Sequence, residues 1–261
     1  MPNAVYSEFL AFAHEMADAA ATISLPLFRQ PATIDNKLTS GFDPVTQADR
    51  DSELAMRQMI EAKFPSHAIL GEEWGAKAGD NFQWVLDPID GTRAFISGVP
   101  TWGALIALNE KGVPKVGMMD QPFTGERYYA VNGGGAFLRH HQDLYKLSTR
   151  ACPTLSQAII TSTSVDHLAG AALSKWHKIA AEAKLARYGG DCYGYAMVAA
   201  GHIDAVIESG LQAYDIQALI PIVEEAGGIV SNWQGGDVAN GGDVLACGDR
   251  ALHAEILAHL A

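Results

Sequence analysis

The chain has 261 residues, a formal net charge of -12 at pH 7 and an apolar fraction of 48%. That length allows one large domain or two packed ones with an ample core. The acidic balance weighs against nucleic acid and anionic membranes as partners, and no run approaches the roughly 18 uncharged apolar residues of a membrane helix. Three cysteines, Cys152, Cys192 and Cys247, form no C-x-x-C pair and point to reduced thiols. The first eight residues lack a basic segment leading into an apolar one, so no signal peptide is expected and the chain reads as cytoplasmic.

In chain order, Val5, Phe9, Phe12, Met16, Ala20, Ile23 and Leu27 recur at helical steps, predicting a long amphipathic helix that ends near Phe28, before Pro31. Residues 30–44 read as a loop. Thr46 with Asp49 reads as a capping box opening a second helix that runs to about Ala62. A short strand over 68–70 leads into Gly71-Glu72-Glu73-Trp74, and residues 75–81 read as an exposed loop. The apolar run Trp84-Val85-Leu86 then reaches Asp87-Pro-Ile-Asp-Gly-Thr92, a buried strand emerging into a turn. Period-two segments follow at 102–109, 113–120, 127–131 and 136–138, separated by short Gly-bearing connections, as in an antiparallel meander.

From about residue 151 strands and helices alternate. Strands are expected at 158–161, 184–188, 205–208, 229–231 and 244–246, and helices at 170–183, 192–200, 214–226 and 251–260. Pro221 should kink the helix over 214–226 or shift its start. The clearest boundary falls near 147–153. It divides an N-terminal α+β half (1–150), with the antiparallel sheet and most of the acids, from a C-terminal α/β half (151–261), the two forming one compact unit.

Asp87 and Asp90 leave a buried strand one short turn apart. By itself an Asp-Gly pair reads as a turn or cap, but two acids so placed are costly unless something positive sits between them. A divalent cation would accept both carboxylates and the Ile89 carbonyl. Gly91 and Thr92 can turn their amides toward an anion. Glu72 also follows a buried strand and can share the site; alone, Glu72-Glu73 reads as a solvated pair. Asp49 suits its capping box, and Thr46 with Asp49 could also hold a water. Asp215 suits a helix start and is a candidate second-metal ligand. Asp191 and Glu208 read as a cap and a strand end, or as recognition of the substrate's leaving part. Arg93 and Arg187 read as salt-bridge partners. No H-E-x-x-H occurs among the nine histidines, and Gly133-Gly134-Gly135 is not a P-loop.

Together, Asp43-Pro-Val-Thr-Gln-Ala-Asp49, Gly71-Glu72-Glu73, Asp87-Pro-Ile-Asp-Gly-Thr92 and Tyr214-Asp215 running to Glu225-Ala-Gly-Gly228 resemble the inositol monophosphatase family, magnesium-dependent and lithium-sensitive phosphomonoesterases. Asp87-Pro-Ile-Asp-Gly-Thr-Arg-Ala-Phe-Ile-Ser-Gly98, Gly117-Met-Met-Asp-Gln-Pro122, Gly190-Asp-Cys-Tyr-Gly194 and Tyr214-Asp-Ile-Gln-Ala-Leu-Ile-Pro221 resemble its histidinol-phosphate phosphatase branch. Inositol-specific members usually carry Thr-Asn-Phe where this chain has Arg93-Ala94-Phe95, and Trp in place of Tyr214.

The resemblance implies a mixed α/β fold layered α-β-α-β-α, and a homodimer. It gives Glu72, Asp87 and the Ile89 carbonyl to one magnesium, Asp87, Asp90 and Asp215 to a second, and Glu72, directly or through water, to a third. Asp49 and Thr92 would position the attacking water, with Glu72 assisting. The Gly91 and Thr92 amides would bind phosphate, and Asp191, Glu208, Asp215 and Arg187 would meet the rest of the substrate. The activity so implied is hydrolysis of L-histidinol phosphate, a small phosphate ester, in histidine biosynthesis. Its rivals are inositol 1-monophosphate or adenosine 3',5'-bisphosphate hydrolysis, and a catalytically silent metal- or phosphate-binding regulator.

Overall fold

The structure is a computed structural model that describes residues 4–31, 34–36, 44–168 and 170–261. The apolar stripe Phe9, Phe12, Met16 and Ala20 forms the buried face of α1 (Ala4–Ser24). The helix stops at Ser24 rather than near Phe28. Pro26 has no N–H to extend the ladder and disfavours helical geometry at Leu25, so Leu25–Leu27 tighten into a 3-10 turn closed by the Phe28 N–H on the Leu25 carbonyl. Of the loop expected over 30–44, residues 32, 33 and 37–43 lie outside the described residues, Asp43 among them. The remainder contributes a two-residue ladder of β1 (Asp35–Asn36) on β2 (Pro44–Val45). α2 (Gln47–Lys63) starts at the expected capping box, with Thr46 Oγ1 accepting from the Ala48 N–H.

A single sheet of eight strands follows: β3 (Ala68–Gly71), β4 (Gly75–Lys77), β5 (Phe82–Asp90) and, after the short α3 (Thr92–Ser97), β6 (Gly103–Glu110), β7 (Val113–Gln121), β8 (Glu126–Val131), β9 (Gly135–His140) and β10 (Asp143–Lys146). Their spatial order is β10-β9-β8-β7-β6-β5-β3-β4, antiparallel throughout except for the parallel pair β3–β5. The sequence pattern misses β4 and β10. All four residues of β10 are exposed, which leaves no apolar alternation to read.

The end of β5 also differs from expectation. The strand does not stop at Asp87 but runs through Pro88 to Asp90. Asp87 pairs with Leu105 and Asp90 with Gly103, so β5 carries one residue more than β6 across that interval. Residues three apart on a regular strand face opposite sides. The extra residue is a bulge that brings both acids to one side, and it accommodates Pro88, which cannot donate to a ladder.

The second sheet is built from β11 (Ile159–Ser162), β12 (Leu185–Tyr188), β13 (Ala205–Leu211), β14 (Ile229–Asn232) and β15 (Gly242–Cys247) in the order β12-β11-β13-β15-β14. β11 is parallel to β12 and β13, and β15 is antiparallel to β13 and β14. Its helices are α4 (Ala171–Glu182), α5 (Asp191–Ala199), α6 (Ala213–Ile216), α7 (Leu219–Glu225) and α8 (Arg250–Leu260). The single helix expected over 214–226 is therefore two. Pro221 is tolerated only in a first turn, and the chain re-starts at Leu219 to put it there.

Three cores define the layers. Phe12, Met16, Met56 and Ile60 of α1 and α2 pack on Trp84, Leu86 and Ile106. The opposite face of that sheet, with Val85, Leu105 and Met119, meets Tyr195 and Ile222 of the middle helices and Val206 and Val244 of the second sheet. Ile160, Ile207 and Leu245 then face Trp176, Ile179, Leu252 and Ile256 of α4 and α8. This is the α-β-α-β-α order that the resemblance implies. Asp87 shares the face of Val85, so it points at the middle helices. Among the described residues no helix is long and apolar enough to cross a membrane.

The middle layer docks on bare backbone. A Cβ at Gly117 of β7 would lie 2.1 Å from the Ala218 carbonyl oxygen and 2.5 Å from Pro221 Cγ. Gly117→Ala should therefore destabilise the protein by about 1–3 kcal/mol, lowering the thermal midpoint by roughly 2–4 °C for each kcal/mol. Because Asp215 precedes this contact by three residues, activity measured below the midpoint should fall as well.

Candidate active site

Four carboxylates converge where β3 and β5 end. The Asp87 side chain is buried, and its Oδ1 accepts the Ile89 N–H at 3.1 Å. Asp90 is held by α5, whose Cys192 N–H donates to Asp90 Oδ2 at 2.7 Å. Asp215 is the N3 residue of α6, and its Oδ2 accepts the Gln212 N–H at 2.7 Å. Carboxylate oxygens of Asp87, Asp90 and Asp215 lie within 4.8 Å of one another. Glu72, one residue past β3, stands at hydrogen-bonding range of Asp87.

This arrangement opposes itself. At an effective dielectric of about 20, two charges that close repel by roughly 3 kcal/mol, less where solvent reaches half-buried Asp90 and Asp215. Burial, then Glu72, Asp90 and Asp215, hold the Asp87 carboxyl well above the ordinary range. Burial, then Asp215 and Asp191, do the same to Asp90, against the Cys192 N–H. Protons or cations must fill the space between them. The donors that converge are oxygens, the carboxylates of Glu72, Asp87, Asp90 and Asp215 with the Ile89 carbonyl beside them, while burial holds the neighbouring Cys192 thiol well above its ordinary pKa. That set fits a hard divalent cation and has no thiolate or imidazole to favour a softer one.

Beside the cluster stands a second pair. Thr46 donates to Asp49 Oδ2 from its N–H at 2.9 Å and from its hydroxyl at 2.5 Å. Thr92 Oγ1 lies 3.3 Å from Asp49 Oδ1 and 3.2 Å from the Ile89 carbonyl oxygen. Asp49 thus caps α2 and reaches Thr92 at once. It is fully buried, and burial raises its pKa in spite of the Thr46 bonds.

A cavity of about 370 Å³ opens over the cluster. Gly91, Thr92, Asp191, Glu208 and Asp215 line it with Glu72, Asp87 and Asp90, while Asp49 stands behind Thr92 and outside the lining. Asp191 opens α5 with φ 45°, and Thr101 Oγ1 donates to its Oδ2 at 3.0 Å. Both Glu208 oxygens are engaged, Oε1 by the Thr163 N–H at 2.8 Å and Oε2 by the Tyr195 hydroxyl at 2.9 Å. Arg187 is not brought to the site; it is exposed on edge strand β12, outside the lining, whereas Arg93 is in it.

Sequence reasoning left the loop over 161–167 open; Ser162, Thr163 and Ser164 of that loop line the cavity. It missed Tyr195 and the Cys192 N–H, and singled out Tyr214 only as a departure from inositol-specific members. The Cys192 N–H was legible in principle, since Asp90 needed a donor and a helix start supplies free N–H groups.

In the metal-free protein, carboxyls whose pKa rises on folding cost nothing below about pH 3, where they are protonated in both states. They remove stability as pH climbs through their folded values. With chelator present, wild type should therefore lose stability relative to Asp87→Asn between about pH 5 and pH 8, by some 2–4 °C in midpoint for each kcal/mol of repulsion. Magnesium should close that gap at neutral pH for wild type and not for the variant. Calorimetric melts across pH check this, and coincident curves in chelator would contradict it.

The sequence matches the inositol monophosphatase family over residues 5–261. It is 40% identical over 264 residues to the chloroplastic bifunctional phosphatase IMPL2 of Arabidopsis thaliana, spanning 97% of this chain and 75% of that one. It is 34% identical to a histidinol-phosphatase of Chlorobaculum parvum, over 95% of each. Among solved structures, an inositol monophosphatase from Zymomonas mobilis superposes with a TM-score of 0.88 at 40% identity, covering 98% of each chain. The chain belongs to the inositol monophosphatase family of phosphatases.

Proposed function

We propose, from that membership and from the acid-lined cavity, that this phosphatase is a magnesium-dependent phosphomonoesterase. Its substrate is L-histidinol phosphate, released as L-histidinol and phosphate in the cytoplasm during histidine biosynthesis, and it works as a homodimer. The observation that carries the substrate is Asp191. Its carboxylate lines the cavity beside Gly91, and with Glu72, Asp87, Asp90 and Asp215 given to cations, Asp191 and Glu208 are the acids of the lining left to face the substrate. Histidinol phosphate has an ammonium and an imidazole for them, through charge-assisted hydrogen bonds. Inositol phosphate has only hydroxyls. The histidinol-phosphatase relative supports the same reading, while the Zymomonas relative is named for the rival one.

Phosphate monoesters are so inert that catalysis can require ~20 kcal/mol or more of transition-state stabilisation. Two to three magnesium ions held by Glu72, Asp87, the Ile89 carbonyl, Asp90 and Asp215 would supply charge neutralisation and a lowered pKa for water. The chain's own groups do the rest. The Thr92 hydroxyl proton has two acceptors at hand, Asp49 Oδ1 and the Ile89 carbonyl. That leaves the Thr92 oxygen lone pairs to accept from the attacking water. Glu72 orients that water with Thr92 and takes a proton from it. The Gly91 and Thr92 N–H groups at the start of α3 bind phosphate oxygens. Asp191 pairs with the substrate ammonium. Glu208, its oxygens already shared with Thr163 and Tyr195, adds negative potential on that side. No side chain attacks phosphorus, so no phosphoenzyme forms, and the departing alkoxide takes its proton from water in the cavity.

A silent regulator has no use for the Asp49–Thr92 pair. Asp87→Asn should lower turnover at saturating magnesium by at least ~10³-fold while the protein stays folded; near-normal turnover would refute the ligand role. Steady-state assays should give histidinol phosphate a higher kcat/KM than inositol 1-phosphate or adenosine 3',5'-bisphosphate. Asp191→Asn should lower kcat/KM for histidinol phosphate ~10-fold or more and leave an aryl phosphate within about twofold. Equal losses on the two substrates would remove Asp191 from recognition.

A further inference from the structure

Asp49, Glu53 and Arg57 follow one another at four-residue steps along the buried side of α2. Residues so spaced share one helix face, and three ionisable groups on a buried face are costly unless each is bonded. Asp49 reaches Thr92, on one wall of the site. Glu53 reaches the other. Its fully buried carboxylate accepts the Glu73 N–H at 2.7 Å, the Trp74 N–H at 3.1 Å and Arg57 Nε–H at 2.7 Å. Arg57 Nη2 donates in turn to the Gly75 carbonyl. Gly71, which precedes Glu72, allows this approach, because a Cβ there would lie 1.9 Å from Glu53 Oε1. The Glu72 N–H is tied to the Leu86 carbonyl at 3.2 Å. The backbone on both sides of Glu72 is thus fixed by groups outside the cavity.

We propose that Glu53 is a positioning residue. By holding the Glu73 and Trp74 N–H groups it sets the Glu72 carboxylate against Asp87, and so sets the cation affinity of the acidic cluster. The inference rests on the reading of that cluster as a cation site. It adds a role for a residue that never meets substrate or ion. One helix then indexes both walls, the water-positioning side through Asp49 and the Glu72 side through Glu53, one turn apart.

The test uses the whole chain and Mn2+ alone, an ion suited to the same oxygen donors, with binding read as loss of the free-ion EPR signal. Glu53→Gln keeps the side-chain size but replaces an acceptor oxygen by an NH2 group among three donors. It should weaken Mn2+ binding ~10-fold or more, the usual loss for a partner behind a ligand. If Glu53 acts through Glu72, then Glu53→Gln adds nothing in a Glu72→Gln background. Gly71→Ala, which displaces the Glu53 carboxylate without altering its charge, should give the same loss. It carries the test if Glu53→Gln melts below the assay temperature. Wild-type affinity in a folded Glu53→Gln or Gly71→Ala variant, or losses that add in the double variant, would overturn the positioning role alone. A wild-type chain that binds no Mn2+ would overturn the cation reading and this inference with it.

Discussion

Mutual repulsion among acids at the end of one buried strand is the constraint on which this structure turns. Asp87 is buried, and Asp90, Asp215 and Glu72 are drawn close to it. A core built for stability alone would not place them so. Every neighbouring element yields something to keep them together. β5 takes a bulge that turns Asp90 to the side of Asp87. α5 turns the Cys192 N–H of its first turn toward Asp90. α6 is cut to a single short helix that ends before Pro221 and presents Asp215. The strain is electrostatic, and a hard cation among these oxygens would relieve it.

The layers follow from the same need. The Asp87 face of the first sheet is covered by the middle helices, which bring Asp191, Cys192 and Asp215 to it. The opposite face is covered by α1 and α2, and α2 serves more than packing. Its buried side carries Asp49, Glu53 and Arg57 among Met56 and Ile60. Those charged groups are satisfied by backbone and by each other, so the helix acts as a rigid spine behind the site. Gly117 lets the start of α7 sit against the backbone of β7.

What the sequence made legible was the local chemistry. Asp87-Pro-Ile-Asp-Gly-Thr92 announces an acid-bearing strand end, and Thr46 with Asp49 announces a cap, because each pattern is read within a few residues. The layout of strands and helices was legible wherever burial alternates, and failed at β10, where it does not. Contacts across long separations were hidden. That Asp90 needs a donor and that a helix start has free N–H groups could be read, but not that the Cys192 N–H, 102 residues away, is the one that meets it. Glu53 looks like an ordinary exposed helix acid until the Glu72 turn folds over it. Arg187, grouped with the substrate residues by likeness, stands exposed on edge strand β12, outside the cavity lining.

The central claim is that the acids share protons until a cation takes their place. Binding of Mg2+ must then expel protons, since Asp87 and Asp90 hold theirs above the ordinary carboxylate range. A pH-stat titration of the metal-free protein with MgCl2 reads this directly. The account predicts net proton release on Mg2+ binding near neutral pH, shrinking as the starting pH is raised and reduced in Asp87→Asn. Binding of Mg2+ with no proton released anywhere between about pH 5 and pH 8 would contradict it.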